Sequence, residues 1–396
     1  MNLKQQVADL MTANRRVSGS HQYTLPSPDS YPYQWLWDSC FHAIILSHFD
    51  LNAAKKELIS LTRRQFENGM IPHMIYWEHP KDKSKFPVIH WGLRNTSTLT
   101  QPPLLAYAVW QIFRKDKDTE FLKKMYPSMK KFYEYFLKDR DTRHNHLAAI
   151  INPDESGEDN SPRFDLPLGL PKVQTIDENF ETRKMLYKKN KVCKFDASKC
   201  MYDQFWVKDV PFNAILVENL KNMADIALEL HEDIDADYFL HQSKLTSYAM
   251  QILMKEDDLY WSTMGPRYER IKVKTWALFS PLFANILTRD EAKKLVKEHL
   301  LNPNEFKTKY GVPTTALSEK SFDPNGFWRG PVWMSTNWFI YKGLKKYKLE
   351  KEAQMIKAQS LELLEKSGFR EQFNPLTGEG YGAHDFTWGG LVLDMN

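Results

Sequence analysis

The segment Phe121-Leu122-Lys123-Lys124-Met125-Tyr126-Pro127-Ser128-Met129-Lys130-Lys131-Phe132-Tyr133-Glu134-Tyr135-Phe136 sets Phe121, Leu122, Met125, Met129, Phe132, Tyr133 and Phe136 three and four residues apart. That is the spacing of one face of an α-helix. Working outward, Leu216, Leu220, Met223, Ile226, Ala227 and Leu230 repeat the pattern, and Ala353, Ile356, Leu363 and Leu364 form a third such face. The third stops at Gly368, where a left-handed cap is wanted. The same period predicts about a dozen helical segments, beginning near residues 1, 38, 52, 102, 118, 213, 234, 275, 290, 331, 349 and 387.

Between them run long connections, 15–37, 69–101, 140–212, 255–274, 301–330 and 368–386, rich in Pro, Gly, Asn, Asp and aromatics. Loops longer than about 12–15 residues are usually functional or disordered, and the aromatic content argues for ordered loops that line something. Aromatic loops alternating with short joins suit paired helices closed into a ring with one elaborated face. The expected fold is therefore all-α, an (α/α)6 barrel with long ordered loops at its mouth. No Pro/Ser/Gly linker divides the chain, so residues 1–396 read as one domain, with a loop or lid insertion at 163–212 whose Lys-rich middle suits a flap.

Composition narrows the class. Of 396 residues, 54 are basic and 50 acidic, a net charge of +4 spread along the chain, which gives nucleic acid no footprint. No run of about 18 apolar residues spans a membrane, and Met1 to Arg16 lacks the apolar core of a secretion signal. Cys40, Cys193 and Cys200 are an odd number at no metal-like spacing, so the sequence predicts free thiols and a reducing cytoplasm. Metal-protease, nucleophile-elbow, phosphate-loop and dinucleotide motifs are missing, so neither metal nor cofactor is expected. A homo-oligomer is compatible with these readings.

Four constellations carry chemistry. Asn152-Pro153-Asp154-Glu155-Ser156-Gly157-Glu158-Asp159-Asn160-Ser161-Pro162 packs four carboxylates between two prolines, a fixed acidic loop that reads as catalytic, as a solvated turn or as a calcium loop. Glu371 stands between Phe369 and Phe373, where apolar neighbours would raise its pKa; a surface pair with Arg370 is the plainer alternative. In Tyr31-Pro32-Tyr33-Gln34-Trp35-Leu36-Trp37-Asp38-Ser39, Asp38 is either an N-cap or a site acid. Gly326-Phe327-Trp328-Arg329-Gly330-Pro331-Val332-Trp333 sets a guanidinium among aromatics that also suit a core. Flat aromatic faces with carboxylates and amides are what a sugar ring needs, because its C–H faces stack and its hydroxyls require directional partners.

These segments, with Thr100-Gln101-Pro102-Pro103 and Glu371-Gln372-Phe373-Asn374-Pro375-Leu376-Thr377-Gly378, resemble glycoside hydrolase family 63, in particular its bacterial and archaeal mannosylglycerate and glucosylglycerate hydrolases. They run in family order from about residue 20 to the C-terminus. The resemblance implies an (α/α)6 barrel and an inverting mechanism, with Asp159 as general acid and Glu371 as general base. It implies that Trp37 and Asp38 hold the sugar, that Trp328, Trp333 and Trp388 form walls, and that Gln101 and Tyr33, with Tyr76 and Tyr381 beside them, reach the leaving group; the acid-loop Gly157 and the guanidinium of Arg329 complete the expected substrate-binding set. The family pattern commonly has an aromatic where this chain has Asp154, a departure that bears on sugar or aglycone preference more than on reaction type. An inverting site holds its carboxyl groups about 6.5–9.5 Å apart with a water between them. Residues 159 and 371 lie 212 positions apart (371 − 159), so only a closed fold whose loops converge brings them together.

The expectation is hydrolysis of a small α-glycoside, glucosylglycerate or mannosylglycerate, to free sugar and glycerate. An α-glucosidase of short oligosaccharides is the rival within the class. A sugar 2-epimerase, with a histidine pair at the mouth, and a non-catalytic sugar-binding toroid are the readings from other classes.

Overall fold

The computed structural model describes residues 2–77, 95–203 and 205–396. Its helices are α1 (Leu3–Asn14), α2 (Leu36–Leu46), α3 (Leu51–Thr62), α4 (Leu105–Asp116), α5 (Thr119–Lys138), α6 (Asp165–Leu168), α7 (Ile176–Val192), α8 (Ala197–Asp203), α9 (Val210–Glu229), α10 (Asp233–Leu253), α11 (Ser280–Ala284), α12 (Arg289–Leu295), α13 (Met334–Lys346) and α14 (Glu350–Ser367). A 3₁₀ segment, Thr387–Asp394, ends the chain.

Packing closes a ring. α2 lies on α4, α4 on α9, α9 on α11, α11 on α13, α13 on the 3₁₀ segment, and that segment back on α2. Outside it, α3 backs α2, α5 backs α4, α10 backs α9, α14 backs α13, and α1 backs the 3₁₀ segment. This is the expected α/α toroid. Inner and outer helices differ as their positions require: every residue of α2 is buried, whereas α5 buries only the Phe121, Leu122, Met125, Met129, Phe132, Tyr133 and Phe136 face and its immediate flanks. α5 starts where Asp118 accepts a hydrogen bond from the Phe121 amide at 3.0 Å.

Three expectations need correction. First, Asp38 is not the N-cap of α2: the helix begins at Leu36, Asp38 lies in its first turn, and Trp35 occupies the cap position without a side-chain cap bond. Second, the segment 163–212 is largely helical rather than a loop: α7 opens on a capping box, Thr175 Oγ1 accepting from the Glu178 amide while the Glu178 side chain accepts from the Thr175 amide. Third, Cys193 and Cys200 are joined by a disulfide and only Cys40 is a free cysteine. The turn from α7 into α8 brings their Cα atoms to 5.5 Å, within bridging distance. Gly368 does end α14 with positive φ (+70°), but its ψ of −161° is not that of a left-handed helical cap. The centre of the 69–101 connection, 78–94, lies outside the described residues. None of the described helices is long and apolar enough to cross a membrane.

Candidate active site

Glu371 lies on the strand Arg370–Phe373, which pairs antiparallel with Gly380–His384; the register shifts between Arg370 and Gln372. Such a bulge re-aims a side chain. Arg370 turns out to His384 Nε2 at 2.8 Å, so the surface pair with Glu371 does not form. Glu371 points inward, 5% exposed, its Oε1 accepting from the Tyr31 hydroxyl at 2.5 Å and its Oε2 from the Ala383 amide at 2.8 Å. Gly382 makes this possible: at φ +70°, a Cβ there would stand 2.2 Å from Glu371 Oε2. Burial pushes the Glu371 carboxyl up to about 7, the charges of Asp159 and Asp38 push the same way, and the hydrogen bonds from Tyr31 and Ala383 pull against them. A carboxyl poised there exchanges a proton readily at neutral pH.

The acid loop forms a 3₁₀ turn over Pro153–Ser156, left at Gly157 with φ +74°. Its four carboxylates divide into two kinds. Glu155 is fully buried, bidentate with Arg140 at 2.6 and 2.5 Å, and also accepts from the amides of Ile151 and Thr100. Glu158, equally buried, takes Arg163 at 3.0 and 3.1 Å and the Trp276 indole at 2.7 Å. Arg163 also reaches Asp209 at 3.0 Å, and Asp209 caps α9. These pairs fasten the loop to the barrel; breaking one partner of a buried pair typically costs about 3–5 kcal/mol. Asn160 clasps the Trp328 loop, donating to the Gly326 carbonyl at 3.1 Å and accepting from the Trp328 amide at 2.9 Å.

Asp154 and Asp159 are the second kind. Both face Arg183 of α7, whose Nη1 lies 2.6 Å from Asp154 Oδ1 and 2.7 Å from Asp159 Oδ2. The Asp159 side chain is 23% exposed, the most open carboxylate of the loop. Burial pushes the Asp154 carboxyl up against the pull of Arg183, and the charge of Asp159 adds to the rise.

Aromatic rings close around these acids. Trp328 and Trp333 stack at 3.8 Å, and Trp37 meets Trp388 edge-on at 5.2 Å. Trp37 lies so close to the acid loop that a Cβ on Gly157 would stand 2.4 Å from its ring. The Trp388 indole donates to Asp38 Oδ1 at 2.8 Å, and burial, against His42 and that hydrogen bond, pushes the Asp38 carboxyl up to about 6. Glu371 thus feels the charges of two carboxyls from distant segments, Asp159 and Asp38, beside an aromatic basin.

Comparison with known proteins gives the family. The family model for the mannosylglycerate hydrolase MGH1-like glycoside hydrolase domain matches residues 31–389. The chain belongs to this family. Among its relatives, mannosylglycerate hydrolase of Thermus thermophilus is 32% identical over 92% of this chain and 94% of that protein. Glucosylglycerate hydrolase of Mycolicibacterium hassiacum is 26% identical over 94% of this chain and 93% of that one. The crystal structure of the family 63 mannosylglycerate hydrolase from Thermus thermophilus, in complex with Tris and D-glycerate, superposes with a TM-score of 0.90 at 30% identity, covering 100% of this chain and 99% of that one. The chain is thus a glycoside hydrolase built as an α/α toroid.

In this hydrolase the residues expected from sequence fall into three groups. Asp38, Asp159, Glu371, Trp37, Gly157, Trp328, Trp333 and Trp388 converge in one basin. Gln101 is at its edge, its Oε1 accepting from the Trp37 amide at 3.3 Å, and Tyr33 and Tyr76 meet edge-on at 4.7 Å. Arg329 and Tyr381 are engaged elsewhere. Arg329 makes two 2.8 Å bonds to Asp165 and holds the Asn160 and Lys172 carbonyls, tying the acid loop to the start of the 163–212 insertion. Tyr381 donates to Glu379 at 2.7 Å on the hairpin rim. Two residues escaped the sequence reading. Tyr31 sits in the quoted Tyr-Pro-Tyr motif, where only tertiary packing tells it from Tyr33. Arg183 lies in a Lys-rich helix whose composition advertises a solvated face.

Proposed function

We propose that this hydrolase cleaves an α-linked glucosyl or mannosyl group from a small carboxylate-bearing aglycone, glycerate above all, with inversion at the anomeric carbon. In this reading Asp159 protonates the glycosidic oxygen as the bond to the anomeric carbon breaks. Glu371 takes a proton from a water that attacks the opposite face, and β-sugar leaves with glycerate. The observation that carries the reading is the environment of Glu371: a buried carboxyl brought to about 7, held by Tyr31 and Ala383, and coupled electrostatically to Asp159. That is what a general base working at neutral pH requires.

The remaining residues take roles that follow from their chemistry. Asp38, with Oδ1 fixed by Trp388, accepts a sugar hydroxyl, and Trp37, Trp328, Trp333 and Trp388 wall the ring. Arg183 offers a guanidinium beside the acid, a fitting partner for a leaving-group carboxylate. Gln101, Tyr33 and Tyr76 border the same end. The helical insertion 163–212 serves as a lid that excludes water over a small substrate. The names of the relatives, mannosylglycerate and glucosylglycerate hydrolases, support the substrate class. We propose a cytoplasmic location, where a reducing milieu would hold the Cys193–Cys200 bridge open; alkylation of protein quenched inside cells should then label both cysteines, and a bridge found there would refute the location.

The deciding experiment is ¹H NMR of purified protein mixed separately with α-glucosylglycerate and α-mannosylglycerate. Initial release of β-sugar, abolished by Asp159→Asn and by Glu371→Gln, is expected. Initial α-sugar would refute inversion. No release from either glycoside would refute the glycerate assignment and turn the search to α-glucosyl disaccharides.

A further inference from the structure

Behind Asp38 lies a polar network that the reaction as proposed does not use. His42, one turn along α2 from Asp38, and Glu57 of α3 are both fully buried. Glu57 accepts from the hydroxyls of Ser39 at 2.6 Å and Thr24 at 2.9 Å. Among the described residues, the one basic side chain at ion-pair distance is His42, whose Nδ1 stands 3.7 Å from Glu57 Oε1. A carboxyl so far from water is kept only with partners, and these tie it to the base of α2.

The other ring nitrogen of His42 faces the opposite way. Nε2 lies 2.7 Å from Thr387 Oγ1, a buried hydroxyl with no other hydrogen-bond partner among the described residues. The bond forms whichever atom carries the hydrogen, because an imidazole nitrogen and a hydroxyl can each donate or accept. Thr387 opens the closing 3₁₀ segment, and its amide donates to the Pro26 carbonyl at 3.0 Å. The next residue is Trp388, whose indole donates to Asp38 Oδ1 at 2.8 Å. Asp38 and His42 are four apart on one helix face, and Thr387 and Trp388 are adjacent, so two side-chain bonds clamp α2 to the 3₁₀ segment at neighbouring points. Burial pushes the Asp38 carboxyl up, and His42 and the Trp388 indole are the groups that chiefly oppose the rise.

We propose that His42 is a positioning residue for the sugar clamp: braced by Glu57, it fixes Thr387 and so seats the Trp388 indole on Asp38. His42 touches no reacting atom. The effect on turnover rests on Asp38 being the group that accepts a sugar hydroxyl; the seating of Trp388 does not. The competing account is that the rings around Trp388, among them Trp37 and Trp333, hold it without help.

Thr387→Val removes the hydroxyl at nearly constant shape, Thr387→Ser keeps it, and Thr387→Ala removes it with less bulk should the valine variant not fold. In protein ¹⁵N-labelled at tryptophan, the Trp388 indole signal is identified by its loss in Trp388→Phe. Its hydrogen exchange is read against the Trp338 indole, which donates to Asp394 at 2.9 Å and reports any general loosening. On that scale Trp388 should exchange about tenfold faster or more in Thr387→Val and within about threefold of wild type in Thr387→Ser. His42→Leu should match Thr387→Val, and combining the two should add less than about twofold, since both break one bond. In turnover of an α-glycosyl glycerate, Thr387→Val should raise KM about tenfold and change kcat less than about threefold, because a sugar contact made alike in ground and transition states acts on KM. Unchanged exchange in Thr387→Val, or a fall in kcat with KM unmoved, overturns the proposal. Exchange decides the seating of Trp388 even if the wild type cleaves neither glycoside: faster exchange that Thr387→Ser restores upholds it while the functional reading fails.

Discussion

Removing the Tyr31 hydroxyl should move the acid limb of the pH–rate profile without destroying the enzyme. In the folded protein the phenol donates to Glu371 Oε1 at 2.5 Å and stabilises the carboxylate form, one of the two hydrogen bonds that hold the carboxyl down to about 7 against burial and the charges of Asp159 and Asp38. A hydrogen bond to a charged group contributes roughly 1.5–3 kcal/mol, and 1.36 kcal/mol corresponds to one pH unit. Tyr31→Phe should therefore raise the Glu371 titration by about one to two units. The sign follows from the base needing its charge: activity rises as Glu371 ionises, so weaker stabilisation of the carboxylate shifts that rise to higher pH. At pH 7 the ionised fraction should drop from about half to somewhere between one-tenth and one-hundredth, giving a loss of roughly 5- to 50-fold in kcat/KM that recovers as the pH is raised. The assay is kcat/KM for an α-glycoside from pH 4 to pH 10, with circular dichroism as a check on folding. A uniform loss at every pH, with the acid limb unmoved, would refute the argument, because it would make Tyr31 a packing residue rather than a partner of the base.

Three further outcomes follow from the same geometry. Glu371 titrates at about 7 when folded against an ordinary 4.5, so it binds its proton more tightly in the native state; the stability this gives is present below pH 4.5 and lost as pH rises through 7. Glu371→Gln should accordingly be more stable than wild type by up to about 3 kcal/mol at pH 8 and no more stable at pH 4, as read by urea denaturation. Gly382→Ala, which would drive a Cβ to 2.2 Å from Glu371 Oε2 at φ +70°, should cut kcat about 100-fold or more while leaving the aromatic near-ultraviolet spectrum in place, and normal turnover would show that the hairpin relaxes freely. Arg140→Met, which strands the buried Glu155, should destabilise the protein by about 3–5 kcal/mol, and adding Glu155→Leu should restore much of it; a double variant no better than the single would mean that the loss comes from packing rather than from an unpaired charge.

The toroid was legible because its helices signal themselves locally. Apolar residues at 121, 122, 125, 129, 132, 133 and 136 form a face in any context, and Asp118 caps them in the same stretch of chain. The acid loop was legible for a similar reason, since prolines at 153 and 162 around four carboxylates leave few conformations open. The insertion helix α7 was not, although Thr175-Ile176-Asp177-Glu178 carries a capping box, because its Lys-rich sequence shows little apolar periodicity and reads as a charged connection.

By itself, then, the sequence determined the helical period, the order of the motifs and the chemical types gathered in the loops, all of which depend on near neighbours along the chain. Only the tertiary structure decided which of two tyrosines meets Glu371, that Arg183 reaches across from α7 to Asp154 and Asp159, that Arg329 holds Asp165, and that Cys193 finds Cys200. Each of these is a contact between side chains whose meeting depends on how loops fold over the mouth of the barrel. Hydrogen bonds and ion pairs act over a few ångströms, and periodicity along a sequence carries no information about which distant side chains will come that close.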